Sequence, residues 1–256
     1  MQQTKRPITK SSWETNNKKE IFCPKCQDRG IILIDSLHAK TCACVQQRKF
    51  KQKLNSSRFS RELLQKTFAS FETRGNAKLI EIKQKAQAFV ESFKPTQEIN
   101  SIGIMGPVGT GKTHLCCAIS NALMDKGHQV YYFNFIEGFQ EMFSFYSKEA
   151  SELEAVRKEL LDAEILFIDD LFKGIEKFDL TKGVYKELYS IINHRYVQGL
   201  PIIWNSEFKS RLLTVDEGLT SRILEKSYTL QFGDSQASGS NQRLKRFAER
   251  QGFQEE

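Results

Sequence analysis

Residues 106 to 113 read Gly106-Pro107-Val108-Gly109-Thr110-Gly111-Lys112-Thr113, the G-x-x-x-x-G-K-[ST] pattern of a phosphate-binding loop. The glycines let backbone N–H groups curl around phosphate oxygens where a Cβ would obstruct them. Lys112 offers a point charge to β- and γ-phosphates, and Thr113 offers a hydroxyl to Mg²⁺. These eight residues, with His114 directly after them, are the expected nucleotide-binding stretch. About 55 residues further on, Ile165-Leu166-Phe167-Ile168-Asp169-Asp170 is an apolar run ending in two carboxylates. There Asp169 would hold Mg²⁺ through its water shell, and Asp170 would orient or deprotonate an attacking water. Two adjacent carboxylates repel each other without a cation, which is a physical reason to expect Mg²⁺ beside ATP.

Two more residues fit hydrolysis. Asn205 ends the apolar run that begins at Pro201, where its amide either bonds the γ-phosphate or its attacking water, or caps a turn. Arg222 is either an arginine finger reaching a neighbouring subunit's γ-phosphate or a surface arginine paired with Glu225 at i+3.

A second constellation lies near the N-terminus. Cys23 and Cys26, then fifteen residues, then Cys42 and Cys44 supply four thiolates in two close pairs, as tetrahedral Zn²⁺ requires. The second pair is C-x-C, and His38 is an alternative ligand. Residues 29–34 and 40–41 would form the hairpin of a zinc ribbon. So small a segment cannot fold on apolar burial alone, so a metal would supply its folding energy. The alternative is a set of reduced structural cysteines, since disulfides are not expected in a cytosolic chain. Cys116 and Cys117 are adjacent, cannot share one ligand face, and read as small buried hydrophobes. His114, His128 and His194 belong to no catalytic constellation.

The elements positioning these groups follow from apolar periodicity. Five strands are expected at 101–105, 129–135, 165–169, 201–205 and 228–232. Helices are expected at 78–93, 113–124, 136–146, 151–162 and 183–197, with a short one around 243–250. Alternation of this kind indicates an α/β fold, a five-stranded parallel sheet flanked by helices, with ligands at the carboxyl ends of the strands. Residues 1–20 read as a flexible arm, 21–45 as a zinc-binding domain, 46–66 as a basic linker or helix, 67–233 as the ATPase domain and 234–256 as a tail.

The chain has 256 residues and a net charge of +7. The first 66 carry 15 basic against 5 acidic residues, and the remaining 190 carry 23 against 26. A surplus confined to one end favours an acidic partner there, nucleic acid or an acidic protein surface; a solvated basic leader is the alternative. No apolar run is long enough for a bilayer and no signal-like segment follows the first lysines, so a soluble cytoplasmic protein without a membrane partner is expected.

Taken together these residues resemble an AAA+ P-loop ATPase, and more narrowly the bacterial and phage helicase loaders of the DnaC/DnaI type, from Cys23 to about Arg246. Asp169-Asp170-Leu171 is similar to that group's acidic ending, Trp204-Asn205-Ser206 to its sensor strand, and Ser221-Arg222 to its arginine-finger box. The resemblance implies that Phe68, in Thr67-Phe68-Ala69-Ser70-Phe71, lies near the adenine and that Arg243 is the closing arginine. It also implies that the two helices between Ile136 and Asp162 help contact single-stranded DNA. The chain departs where Leu171 is followed by Phe172-Lys173-Gly174 instead of glycine, where Trp204 replaces a small hydroxyl residue, and where residues 234–240 stretch the terminal box.

What the resemblance implies is an ATP-dependent loader with slow hydrolysis. It would bind a DnaB-type replicative helicase hexamer through its zinc-binding N-terminal domain, self-associate, and deliver the helicase onto single-stranded DNA. Loops near Lys173 and Lys177 would touch the DNA. An ATPase partnering a transposase would instead bind duplex DNA and lack the helicase contact. A non-hydrolysing zinc-containing nucleic-acid module would not need the intact Lys112, Thr113, Asp169, Asp170 and Asn205, and a small-molecule kinase would need lid arginines that are not evident.

Overall fold

The computed structural model describes residues 23, 25–27, 29–34, 38–42, 44–45, 59–145, 150–174, 181–207 and 216–233. They fall into two compact units, one within Met1–Arg48 and one within Lys49–Glu256. The expected arm, most of the basic linker, Lys177, Arg243 and the helix at 243–250 lie outside the described residues.

The smaller unit is built on an antiparallel hairpin of β1 (Ile31–Leu33) and β2 (Ala39–Thr41), with Ile31 opposite Thr41. The Cys42 N–H donates to Gly30 O at 2.8 Å and closes the hairpin base. Four buried cysteines form its centre and, among the described residues, Ile32 and Val45 are the hydrophobic side chains packed against them, while Ile31 and Ile34 face solvent.

The larger unit runs α1 (Arg61–Gln65), α2 (Ala77–Ser92), β3 (Ser101–Met105), α3 (Lys112–Asp125), β4 (Val130–Asn134) and α4 (Phe135–Phe145). It continues with α5 (Ala150–Asp162), β5 (Ile165–Asp169), α6 (Lys182–Gln198), β6 (Ile202–Ser206), α7 (Glu217–Glu225) and β7 (Ser227–Gln231). The five strands β3 to β7 form one parallel sheet in the order β4-β5-β6-β3-β7. The three inner strands are buried along their whole length, and the two edge strands only in part. That is what apolar runs covered by helices on both faces demand. Alternate residues divide between two cores. Ile102, Ile104, Phe167 and Ile203 face α2 and α3, while Leu166, Ile168, Ile202 and Trp204 face the side of α4, α6 and α7.

The strands lie within a residue or two of their expected bounds. β4 stops short of Phe135 because the Asn134 side chain accepts the N–H groups of Ile136 and Glu137, starting α4. Trp204, a departure from the resembled group, is accommodated by its neighbour in the ladder: Gly103 pairs with it, and any Cβ there would overlap the indole ring. The indole N–H donates to Ser227 Oγ at 2.8 Å. Burying a side chain of this size contributes roughly 3–5 kcal/mol relative to alanine.

Arg195 is completely buried among backbone carbonyls, donating to those of Leu160, Leu161, Ala163, Glu164 and Pro201. Four of them lie in the last turn of α5 or just past it, where a cation complements the helix dipole. Burial lowers its pKa to about 9, leaving it charged at neutral pH.

Candidate functional site

The strand order decides what meets at the carboxyl edge of the sheet. β6 runs between β3, which leads into the phosphate-binding loop, and β5, which ends in the acidic pair. Asn205, near the end of β6, is therefore delivered between the end of β3, where the phosphate-binding loop begins, and Asp169 at the end of β5. Its amide N–H donates to Asp169 Oδ1, and its Oδ1 accepts the Asp170 N–H at 3.0 Å. One side chain thus fixes both acidic positions, and the alternative of an isolated turn cap does not describe it.

The loop begins α3 at Gly111, whose φ of 101° suits glycine and whose added Cβ would press on Phe71. Thr110 Oγ1 and Lys112 Nζ both donate to Pro107 O, at 2.9 and 2.8 Å. Burial lowers the Lys112 pKa, opposed by the charges of Glu207 and Asp170. Thr113 Oγ1 donates to Asp169 Oδ1 at 2.9 Å and Tyr132 OH to Oδ2 at 3.0 Å. Burial nevertheless holds the Asp169 carboxyl above the usual carboxylate range, with the charge of Asp170 adding to it. A cation between Thr113 and Asp169 would reverse that balance, so this pair fits Mg²⁺.

After β5 the chain makes a tight turn in which Asp170 and Phe172 have φ of 58° and 62°. Non-glycine residues there cost about 1–3 kcal/mol each, and persist only where the surroundings hold them. Here Leu171 N–H donates to Asn205 O at 2.8 Å, Ser206 Oγ to Leu171 O at 2.9 Å, and Phe172 is buried. The turn brings Lys173 Nζ to 2.8 Å from Asp170 Oδ2, and this hydrogen bond raises the lysine pKa.

These groups surround a cleft of about 220 Å³ lined by residues 108–114, Glu62, Lys66, Phe71, Glu72, Asp170, Lys173 and Glu207. Phe71 faces it, whereas Phe68 packs against the core and is not among the lining residues. His114 does have partners: its Nε2 lies 3.1 Å from Thr67 O and 3.2 Å from Ser70 Oγ, and its ring meets Phe71 edge-on. It fastens the 67–71 segment to α3. Asn121 adds to this by donating to the carbonyls of Leu63, Leu64 and Lys66. Arg222 lies elsewhere, donating to Asn193 Oδ1 and Gly218 O beneath the Tyr189 ring, while Glu225 accepts from Tyr196 OH instead.

In the smaller unit, the four sulfurs of Cys23, Cys26, Cys42 and Cys44 lie within 4.8 Å of one another. Cys23 and Cys42 are 3.8 Å apart and Cys26 and Cys44 3.2 Å, too far for disulfides. Four thiolates around Zn²⁺ at about 2.3 Å stand roughly 3.8 Å from each other, so this donor set fits a tetrahedral metal. Desolvation opposes charge on Cys26, but hydrogen bonds from Cys44 and the Gly30 N–H lower its pKa, while desolvation and the neighbouring sulfurs raise that of Cys44. His38 is exposed and stands outside the quartet.

Sequence reasoning missed Tyr132, Glu207 and the cleft position of Lys173. Tyr132 carried a faint signal, a hydroxyl placed two residues before the end of a strand; Lys173 depends on the turn after β5, and Glu207 on the position of β6, which it directly follows.

The profile described as IstB-like ATP binding protein matches residues 30–244 of the chain. Over 231 residues the chain is 34% identical to the phage-like element PBSX protein XkdC of Bacillus subtilis (strain 168), covering 86% of this chain and 85% of that protein. Among solved structures, that of the DnaC helicase loader aligns with a TM-score of 0.59 at 21% identity, over 68% of this chain and 100% of that one. The replication initiator DnaA bound to AMPPCP and single-stranded DNA aligns with a TM-score of 0.54 at 22% identity, over 78% of this chain and 58% of that one.

Proposed function

The chain belongs to the IstB-like ATP-binding protein family, with an AAA+ P-loop fold, and from that premise we propose that it is a cytoplasmic, ATP-dependent loader of a replicative helicase. It binds a DnaB-type hexamer through the cysteine unit, held by Zn²⁺, and delivers it onto single-stranded DNA, with ATP binding and slow hydrolysis as the switch. The observation that carries the reading is the Asn205 amide linking both acidic positions opposite the phosphate-binding loop.

In this reading residues 106–113 cradle the phosphates and Lys112 neutralises the β- and γ-oxygens. Thr113 and Asp169 would hold Mg²⁺, which would supply positive charge beside the phosphate oxygens. Asp170 orients and deprotonates the attacking water, and Asn205 keeps it aimed. Arg222 leaves its resting place against Tyr189 to serve the neighbouring subunit's nucleotide as the protein self-associates. A basic N-terminal quarter attached to a near-neutral motor suits an adaptor that grips an acidic surface.

Native mass spectrometry of the full-length protein with its host's replicative helicase and ATP tests this. A stoichiometric complex that is lost on zinc chelation is expected. No complex under any nucleotide condition overturns the loader reading and leaves the ATP site standing.

A further inference from the structure

Three lysines line the nucleotide cleft: Lys66, paired with Glu62 at 3.6 Å, Lys112 from the phosphate-binding loop and Lys173 from the turn after β5. Lys112 is buried and tied within its own loop to Pro107 O. Lys173 differs in every respect. Its Nζ lies 2.8 Å from Asp170 Oδ2 and 3.6 Å from Glu207 Oε1, and its side chain is 37% exposed. Its base is held: the turn is tied through Leu171 to β6 and through buried Phe172 to the core, and the Lys173 N–H donates to Asp170 O at 2.9 Å. A rigid root bearing a flexible, compact point charge can exchange one anion for another at little cost.

The charges specify the exchange. Asp170 and Glu207 face the cleft on the side of the acidic pair, where a third phosphate would extend beyond the loop. Both would repel that phosphate unless a cation stood between them. We propose that Lys173 is the residue by which this cleft distinguishes a nucleoside triphosphate from a diphosphate. Without a terminal phosphate it pairs with the two carboxylates; with one, it moves its charge to a phosphate oxygen, and Asp170 is released to meet the water. The inference rests on the ATP-binding reading of the same site and concerns what selects the nucleotide, whichever partner the protein serves.

Isothermal titration of the full-length protein with AMPPCP and with ADP, each in Mg²⁺, tests it in the wild type, Lys173→Met and Lys173→Arg. Lys173→Met should weaken AMPPCP by roughly tenfold or more, the weight of one charge-assisted hydrogen bond, and leave ADP within about twofold. Lys173→Arg should keep most of the triphosphate preference. Retained ADP affinity also reports an intact site. An unchanged AMPPCP-to-ADP ratio in Lys173→Met overturns the proposal, and so does an equal loss for both nucleotides, which would mark a general cation effect. Failure of the wild type to bind either nucleotide would sink the ATP reading along with it.

Discussion

Each unit of the molecule buries cysteines, and the two sets behave in opposite ways. Cys23, Cys26, Cys42 and Cys44 converge on one point where, among the described residues, only the hydrophobic side chains of Ile32 and Val45 pack against them. Cys116 and Cys117 sit on α3 among residues such as Ile104, Leu115 and Ile119, and burial pushes both thiols up, so neither offers a thiolate. The residue type and the depth are shared; the surroundings decide. A sheet covered on both faces can stabilise itself by apolar burial and use cysteine as a small hydrophobe. A hairpin of two three-residue strands has no such resource, and its four converging sulfurs are a donor set that one metal ion fits.

The sharpest way to break this comparison is to take away the Zn²⁺ proposed for the quartet. Structural Zn²⁺ contributes about 10–16 kcal/mol of apparent binding energy in units of this kind, more than the whole stability of most domains. Chelation, or Cys42→Ser, should therefore unfold residues 23–45 while the larger unit keeps its melting transition and its nucleotide affinity. Proteolysis followed by mass spectrometry reads both at once, and continued protection of the hairpin after chelation would falsify the metal-held reading.

Lys112→Met addresses the other unit. Losing a preorganised charge from a phosphoryl-transfer site costs about 10²–10³ in turnover. ATP hydrolysis should fall by that order, with the protein's zinc content unchanged in elemental analysis. Equal turnover in the variant would remove Lys112 from the site.

The smallest effect concerns stability of the same variant without nucleotide. Burial puts the Lys112 pKa below its ordinary value of 10.5, so the charged amine is disfavoured in the folded state. This cost is fully present at neutral pH and fades as pH rises from the folded value to the unfolded one. Lys112→Met should therefore melt higher than the wild type at pH 7, with the gap closing in alkaline buffer. A gap that widens with pH contradicts the sign.

Much of this was legible in the chain. The phosphate-binding loop is a fixed local pattern, and the inner strands are apolar runs too short for helices, so both could be located from neighbouring residues alone. The cysteine spacing likewise named its four members. What stayed hidden needs the third dimension. That β6 lies between β3 and β5 is a matter of strand order, which sets Asn205 apart from a turn cap. Phe71 rather than Phe68 faces the cleft because His114 and Asn121 fix the preceding segment on α3. Lys173 reads as a DNA-facing loop residue until a turn with two non-glycine residues in the left-handed region folds it back onto Asp170. No local propensity announces such a turn, because packing and hydrogen bonds from β6 enforce it.

Trp204 gives the molecule one more property. Of the two tryptophans in the chain, this one is completely buried, and it immediately precedes Asn205. Its ring lies against Gly103, two residues before the end of the strand that enters the phosphate-binding loop. The chain thus carries its own optical reporter: with Trp13 replaced by phenylalanine, emission from a single indole would follow the nucleotide edge of the sheet, with no dye attached.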